Sequence, residues 1–150
     1  MYRVSTGYTV ADAMTHEPVT ISPNKTLRDA AKLMSKEHVG ALLVKEDSKI
    51  IGILTEQDIV RKGVAGAGNT ALKKVKEIME TNLTTTTPDE DIFEALRIMR
   101  DYNIRHLPVM HQGKFVGLVT LKDILKIEPD LYEIMVEKIE LREAERKPVK

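Results

Sequence analysis

Apolar positions along the chain change period in a fixed order, and they do so twice. LRDAAKLM places Leu27, Ala30, Ala31 and Met34 at i, i+3, i+4 and i+7, and IFEALRIM does the same with Ile92, Ala95, Leu96 and Met99. That spacing puts an apolar stripe down one face of a helix. Thr26 with Asp29, and Asp91 with Glu94, stand where an N-cap and its reciprocal partner three residues on belong. After each helix come two β-rich runs, GALLV then KIIGIL and RHLPV then KFVGLV, joined by KEDS and MHQG. These predict strand, turn, strand. Pro108 has no N–H to give a ladder, so its strand is expected at an edge or to begin there. The runs end in GILTEQDI and GLVTLKDI, where the period returns to helical at Thr-x-x-Asp.

Sliding the chain by 65 residues superimposes the two series without a gap from Val10 on Val75 to Val60 on Leu125, with 13 of 51 positions identical. Ordinary residue usage would give roughly three. The organisation read from this is a first copy at 8–62, a linker at 63–74, a second copy at 75–127 and a charged C-terminal segment at 128–150. Each copy starts with a short helix near VADAM or VKEIM, and the Gly/Ala-rich linker GVAGAGNTALKK is a loop entering the second of these. A copy of about 55 residues cannot bury both faces of its sheet, so the two are expected to pack as one pseudo-symmetric module. In the tail, Leu131, Ile134, Met135 and Ile139 form an apolar stripe on a charged helix. It suits packing onto its own module or docking on a second copy or another protein.

Composition narrows the function. The 150 residues are 42% hydrophobic and carry 23 basic and 23 acidic side chains. A balanced chain argues against nucleic-acid binding, for which the linker lysines are the candidates. Cysteine is absent, which excludes disulfides, thiol catalysis and Cys-ligated metal. With no secretory h-region and no run near ~18 apolar residues, a cytoplasmic protein off the membrane is expected. His16, His38 and His111 have no metal-ligand spacing, GVAGAG lacks the GK[ST] of a phosphate loop, and no nucleophile and base are paired. Neither an enzyme nor a metal protein is expected.

Locally, Thr-x-x-Asp is a capping box, and Gly52 and Gly117 inside strand-like runs mark a close approach by another backbone or a ligand. The doubled helix-strand-strand-helix order, closed each time by Gly-h-h-Thr-x-x-Asp, resembles the tandem CBS-domain pair, or Bateman module, over about residues 8–127. The resemblance implies an α/β (α+β) fold of two βαββα repeats packed sheet to sheet, with a C-terminal helix. It also implies a non-catalytic regulatory module, homodimeric, binding AMP, ADP, ATP or S-adenosylmethionine between the repeats and reporting to an unidentified protein target.

In such modules the Asp accepts from both ribose hydroxyls and the Thr helps hold phosphate, a match that an acceptor-only carboxylate and a hydroxyl allow. The main site implied for this chain uses Thr120, Asp123, Leu118, Arg105 and His106, with Val39 and Gly40 from the first copy and Tyr8 to Ala13 lining the cleft. The basic pair would neutralise phosphate, whereas the first copy has Gly40 and Ala41 in those places. A second site would use Thr55, Asp58, Ile53 and Ile104, with Lys73, Lys74 and Lys76 as possible cations. A structural or protein-interaction module without nucleotide, and a nucleic-acid-binding one, stay open as alternatives.

Overall fold

The computed structural model describes residues 5–133, 135 and 136. Along the chain run α1 (Val10–Ala13), β1 (Thr20–Ile21), α2 (Leu27–Glu37), β2 (Ala41–Glu46), β3 (Lys49–Thr55) and α3 (Glu56–Asp58), which continues into a π-helix, Ile59–Val64. Then come α4 (Val75–Ile78), α5 (Ile92–Tyr102), β4 (His106–His111), β5 (Lys114–Thr120), α6 (Leu121–Ile127) and a 3-10 turn, Pro129–Leu131. The chain divides into two compact units, residues 17–84 and a second that joins residues up to 16 with those from 85 on.

This division differs from the sequence copies. The leading helix of each copy is built into the unit of the other. Val10 belongs to the core of the second-copy unit, with Ile92, Leu96, Met99, Leu107, Val119 and Ile124. Val75 and Ile78 belong to the first-copy core, with Leu27, Met34, Leu42, Val44 and Leu54. The hydrogen bonds are matched. Val10 N donates to Glu90 O at 2.8 Å and Ala11 N to Pro88 O at 2.9 Å, while Val75 N donates to Lys25 O at 2.8 Å and Lys76 N to Pro23 O at 3.0 Å. The first N–H groups of a helix have no partner inside it, and here carbonyls around a proline turn supply one.

Both long helices form over the expected stripes. Leu27, Ala30 and Met34 are buried on α2, whereas Ala31 lies at the stripe's edge and is exposed. Thr26 and Asp29 cap α2 reciprocally, each bond 3.1 Å. At α5 the expected pairing of Asp91 with Glu94 does not form. Asp91 accepts from Phe93 N at 2.8 Å and from Thr6 N at 2.9 Å, and Glu94 turns instead to Arg97 at 2.9 Å. Partial burial acts to raise the Asp91 pKa. The hydrogen bonds from Phe93, Thr6 and Ser5 outweigh it and hold the carboxyl below its ordinary 3.8.

Each unit carries one hairpin. The turns are Asp47-Ser48 and Gln112-Gly113, two residues rather than the four of KEDS and MHQG, and both members have positive φ, 49° and 67° in the first, 50° and 76° in the second. Such turns match the right-handed twist of the flanking strands, so pairing continues to the turn. A register shift lies at Val44/Lys45 in one and at Val109/Met110 in the other.

The sheets differ in strand number. In the first-copy unit β1 pairs parallel to β2, and Leu43 N donates to Val19 O at 3.1 Å. Its counterpart in β4 is Pro108, which can only accept, taking Thr86 N at 3.1 Å. The equivalent pairing therefore shrinks to a single Thr86–Val109 bridge beside the two-stranded β4–β5 sheet. Proline at a ladder edge acts in this way. Thr86 is buried where the first copy has Ile21, and its Oγ1 has no hydrogen-bond partner among the described residues.

Leu131 and Met135 of the tail are buried in the second-copy core. Ile134 and Ile139 lie outside the described residues.

Three measurements check this account. A Cβ on Gly117 would stand 2.7 Å from Thr15 O and 2.9 Å from Met14 Sδ, and one on Gly52 would stand 2.8 Å from Met79 Sδ and 3.0 Å from Glu80 O. Gly117→Ala and Gly52→Ala are therefore expected to lose about 1–3 kcal/mol each in denaturant unfolding. Thr86→Val should gain about 1 kcal/mol, since it replaces an unpaired buried hydroxyl with a methyl. The stability that Asp91 contributes is present above its unfolded value of 3.8 and is lost as pH falls through the lowered folded value. Asp91→Asn should flatten that acid limb of the stability curve.

Candidate functional site

Each Thr-x-x-Asp sits where a hairpin strand passes into a helix, and each is a capping box. Thr120 N donates to Asp123 Oδ2 at 3.0 Å and Asp123 N to Thr120 Oγ1 at 3.1 Å. Thr55 N donates to Asp58 Oδ2 at 3.0 Å and Asp58 N to Thr55 Oγ1 at 3.2 Å. The backbone frame is thus the same in both units. It leaves one carboxylate oxygen of each Asp, Oδ1, outside the cap.

The side chains around the two caps differ. In the first-copy unit the Thr55 hydroxyl donates back to Asp58 Oδ2 at 3.0 Å, and Lys62 Nζ lies 3.4 Å from Asp58 Oδ1. In the second-copy unit neither contact has a counterpart among the described residues. Among the described residues Asp123 Oδ1 has no hydrogen-bond or ion-pair partner, and the Thr120 hydroxyl proton is committed to no acceptor. A hydroxyl donor and an anionic acceptor stand side by side, half-buried, at the end of a strand.

Leu118, His106 and Arg105 neighbour Thr120 along the strands and at the start of α6, and Tyr8 and Ala13 belong to the same unit. Leu118 is two positions back on β5, buried, and tied to Thr15 by two backbone bonds of 2.9 and 3.1 Å. His106 faces Thr120 in the β4–β5 register. Arg105 O accepts from Leu121 N at 2.9 Å, which fixes the Arg105 backbone to the start of α6 while its side chain is exposed. Tyr8 is 45% exposed, its carbonyl accepting from Ile92 N at 3.1 Å. Ala13 closes α1 and packs against this core.

Other expected residues belong to separate compact units. Val39 and Gly40, expected with Thr120, are in the first-copy unit, and Ile104, expected with Thr55, is in the second. Ile53 is buried beside Thr55 and paired with Glu80 through bonds of 2.9 and 3.0 Å. Gly40 O accepts from Glu56 N at 3.0 Å, and a Cβ on Gly40 would meet the Glu56 carboxyl carbon at 3.4 Å. Of the linker lysines, Lys73 is engaged, its Nζ donating to Gly63 O at 3.1 Å at the end of the π-helix.

Sequence reasoning missed Lys62 and Glu80. Lys62 could have been found, because Asp58 and Lys62 have the i,i+4 spacing of a helical ion pair. Glu80 gave no such signal, since it reaches Lys62, at 4.0 Å, only through the exchange of leading segments. No helix among the described residues is long and apolar enough to cross a membrane, and no cluster of three His, Cys, Asp or Glu among them could hold a metal ion.

The CBS-domain family model matches the chain twice, at residues 10–65 and 75–130. The CBS domain-containing protein YhcV of Bacillus subtilis is 37% identical over 115 residues, covering 77% of this chain and 81% of its own. Among solved structures, an uncharacterized conserved protein from Pyrococcus horikoshii is similar over 98% of both chains, with TM-score 0.74 at 27% identity. The CBS domain pair of protein MJ0100, solved in complex with 5-methylthioadenosine and S-adenosyl-L-methionine, is similar over 81% of this chain and 96% of its own, with TM-score 0.72 at 30% identity. With two matches to one family model and each copy's strand-to-helix cap in place, the chain belongs to the CBS-domain family and carries two CBS domains in tandem.

Proposed function

We propose that this chain is a non-catalytic regulatory module that binds an adenosine-containing ligand, with Asp123 as the ribose acceptor. The observation that carries the reading is that, among the described residues, Oδ1 of Asp123 has no partner and the Thr120 hydroxyl beside it has no acceptor. A carboxylate is acceptor-only and accepts from two vicinal hydroxyls, while a hydroxyl suits a phosphate oxygen or another polar group on the ribose 5′ side. Asp123 and phosphate repel each other. Arg105 and His106 supply the compensating charge and hydrogen bonding, the guanidinium as a planar donor to phosphate. Leu118 packs on the base, and Tyr8 and Ala13 border the same face.

The MJ0100 pair, in complex with two adenosine compounds, supports an adenosine ligand of this kind. Thr55, Asp58 and Ile53 form the equivalent but less open set. Homodimerisation is part of the reading, as is a protein target that responds to the bound state. Regulation requires that ligand bind two conformations of the module with different affinity.

Asp123 caps α6 as well as accepting ribose, and the two roles separate by substitution. Asp123→Asn keeps a carbonyl oxygen for the Thr120 N–H and puts an amide donor where Oδ1 stood. In thermal-shift and calorimetric titrations with AMP, ADP, ATP and S-adenosylmethionine, wild type should be stabilised by about 2.7 kcal/mol at a hundred times the dissociation constant. Asp123→Asn should fold within about 1 kcal/mol of wild type yet lose most of that response, keeping only what the weaker Asp58 set supplies. Binding to Asp123→Asn as tight as to wild type removes Asp123 from the site, and no response of wild type to any of the four removes the reading.

A further inference from the structure

The two units share a backbone and differ in one charge constellation. Lys62 Nζ lies 3.4 Å from Asp58 Oδ1 and 4.0 Å from Glu80 Oε2. Glu80 is held in place by its two backbone bonds to Ile53 and by accepting from Asn82 N at 2.8 Å. Shifted by 65 residues, Lys62 corresponds to Ile127 and Glu80 to Thr15. Ile127 packs against the second-copy core, and no ammonium approaches Asp123 among the described residues. The hydroxyls differ in the same sense, since that of Thr55 is closed on Asp58 and that of Thr120 is not.

We propose that Lys62 is the specificity-determining residue of the first-copy unit, closing Asp58 to a ribose and leaving the chain with one ready adenosine site, at Thr120 and Asp123. This rests on the reading of these Asp residues as ribose acceptors. A diol reaching Asp58 has to displace the ammonium from Oδ1 and the Thr55 hydroxyl from Oδ2. Glu80 adds to the closure, because it gives Lys62 a second anionic neighbour on the same side. Side-chain exposure is 48% for Lys62 and 16% for Asp58, so the ammonium is solvated while the carboxylate is sheltered. The closure is therefore modest, and salt weakens it.

The experiment isolates the Asp58 site in an Asp123→Asn background and titrates it calorimetrically with adenosine, AMP and S-adenosylmethionine at low and high salt. Adding Lys62→Met should tighten all three by about two- to fivefold at low salt, the range an exposed ion pair corresponds to. The gain should shrink at high salt. Lys62→Arg keeps the charge and should leave affinity near that of the background, and Lys62→Gln should follow Lys62→Met. If Lys62→Met weakens AMP while sparing adenosine, Lys62 is a phosphate contact and the proposal fails. Unchanged affinity for all three also overturns it. Each of these results leaves the Asp123 reading intact, because that reading is judged separately on wild type, whose failure to bind any probe overturns both.

Discussion

A four-residue helix cannot satisfy its own first N–H groups, and this chain meets that need by exchange. The N–H groups of Val10 and Ala11 go to carbonyls at 90 and 88, and those of Val75 and Lys76 to carbonyls at 25 and 23. Much else follows from these four bonds. They carry Val10 into one core and Val75 with Ile78 into the other. They also lay the segment after each helix antiparallel across a hairpin, as bridges at Thr15–Leu118 and Ile53–Glu80. Gly117 and Gly52 are where those segments cross, and the space they leave is the space a backbone needs.

What the sequence makes legible is whatever depends on neighbours within about ten residues. The stripes of α2 and α5, the hairpin runs and both Thr-x-x-Asp caps are of this kind. The exchange is not, since no local pattern says which copy's core a VADA or VKEI helix completes. The turns were shorter than expected because Asp47, Ser48 and Gln112 take positive φ without a marker such as Asn-Gly ahead of Gly113 alone. The Asp91–Glu94 box does not form because the Asp91 carboxylate accepts from Phe93 N and from Thr6, 85 residues away, while the Glu94 carboxylate pairs with Arg97 one turn on. Pro108 was legible in kind, and its effect appears as the loss of one inter-strand bond that Leu43 makes.

The site was legible as a motif and illegible as a difference. Thr-x-x-Asp reads the same in both copies, and as a cap it is the same. What separates the copies is which partners reach the carboxylate, and these come from the next helical turn and from an exchanged segment. Arg105 was visible as a basic residue before the strand. Its fixed place comes from a backbone bond to Leu121 that no side-chain pattern encodes. The two copies thus share the frame and differ in the side chains around it, so that among the described residues Asp58 has an ammonium neighbour and Asp123 has none.

The exchanged helices also bear on how the chain is made. The first-copy unit, 17–84, is one contiguous stretch, whereas the second joins residues up to 16 with partners from 85 on. Until those partners exist, Val10 and the rest of α1 have no core to enter. Closing that long loop is a late, entropically costly event of high contact order. The unit that carries the Thr120–Asp123 cap is thus the one whose core depends on the longer chain closure, from α1 to the residues after 85.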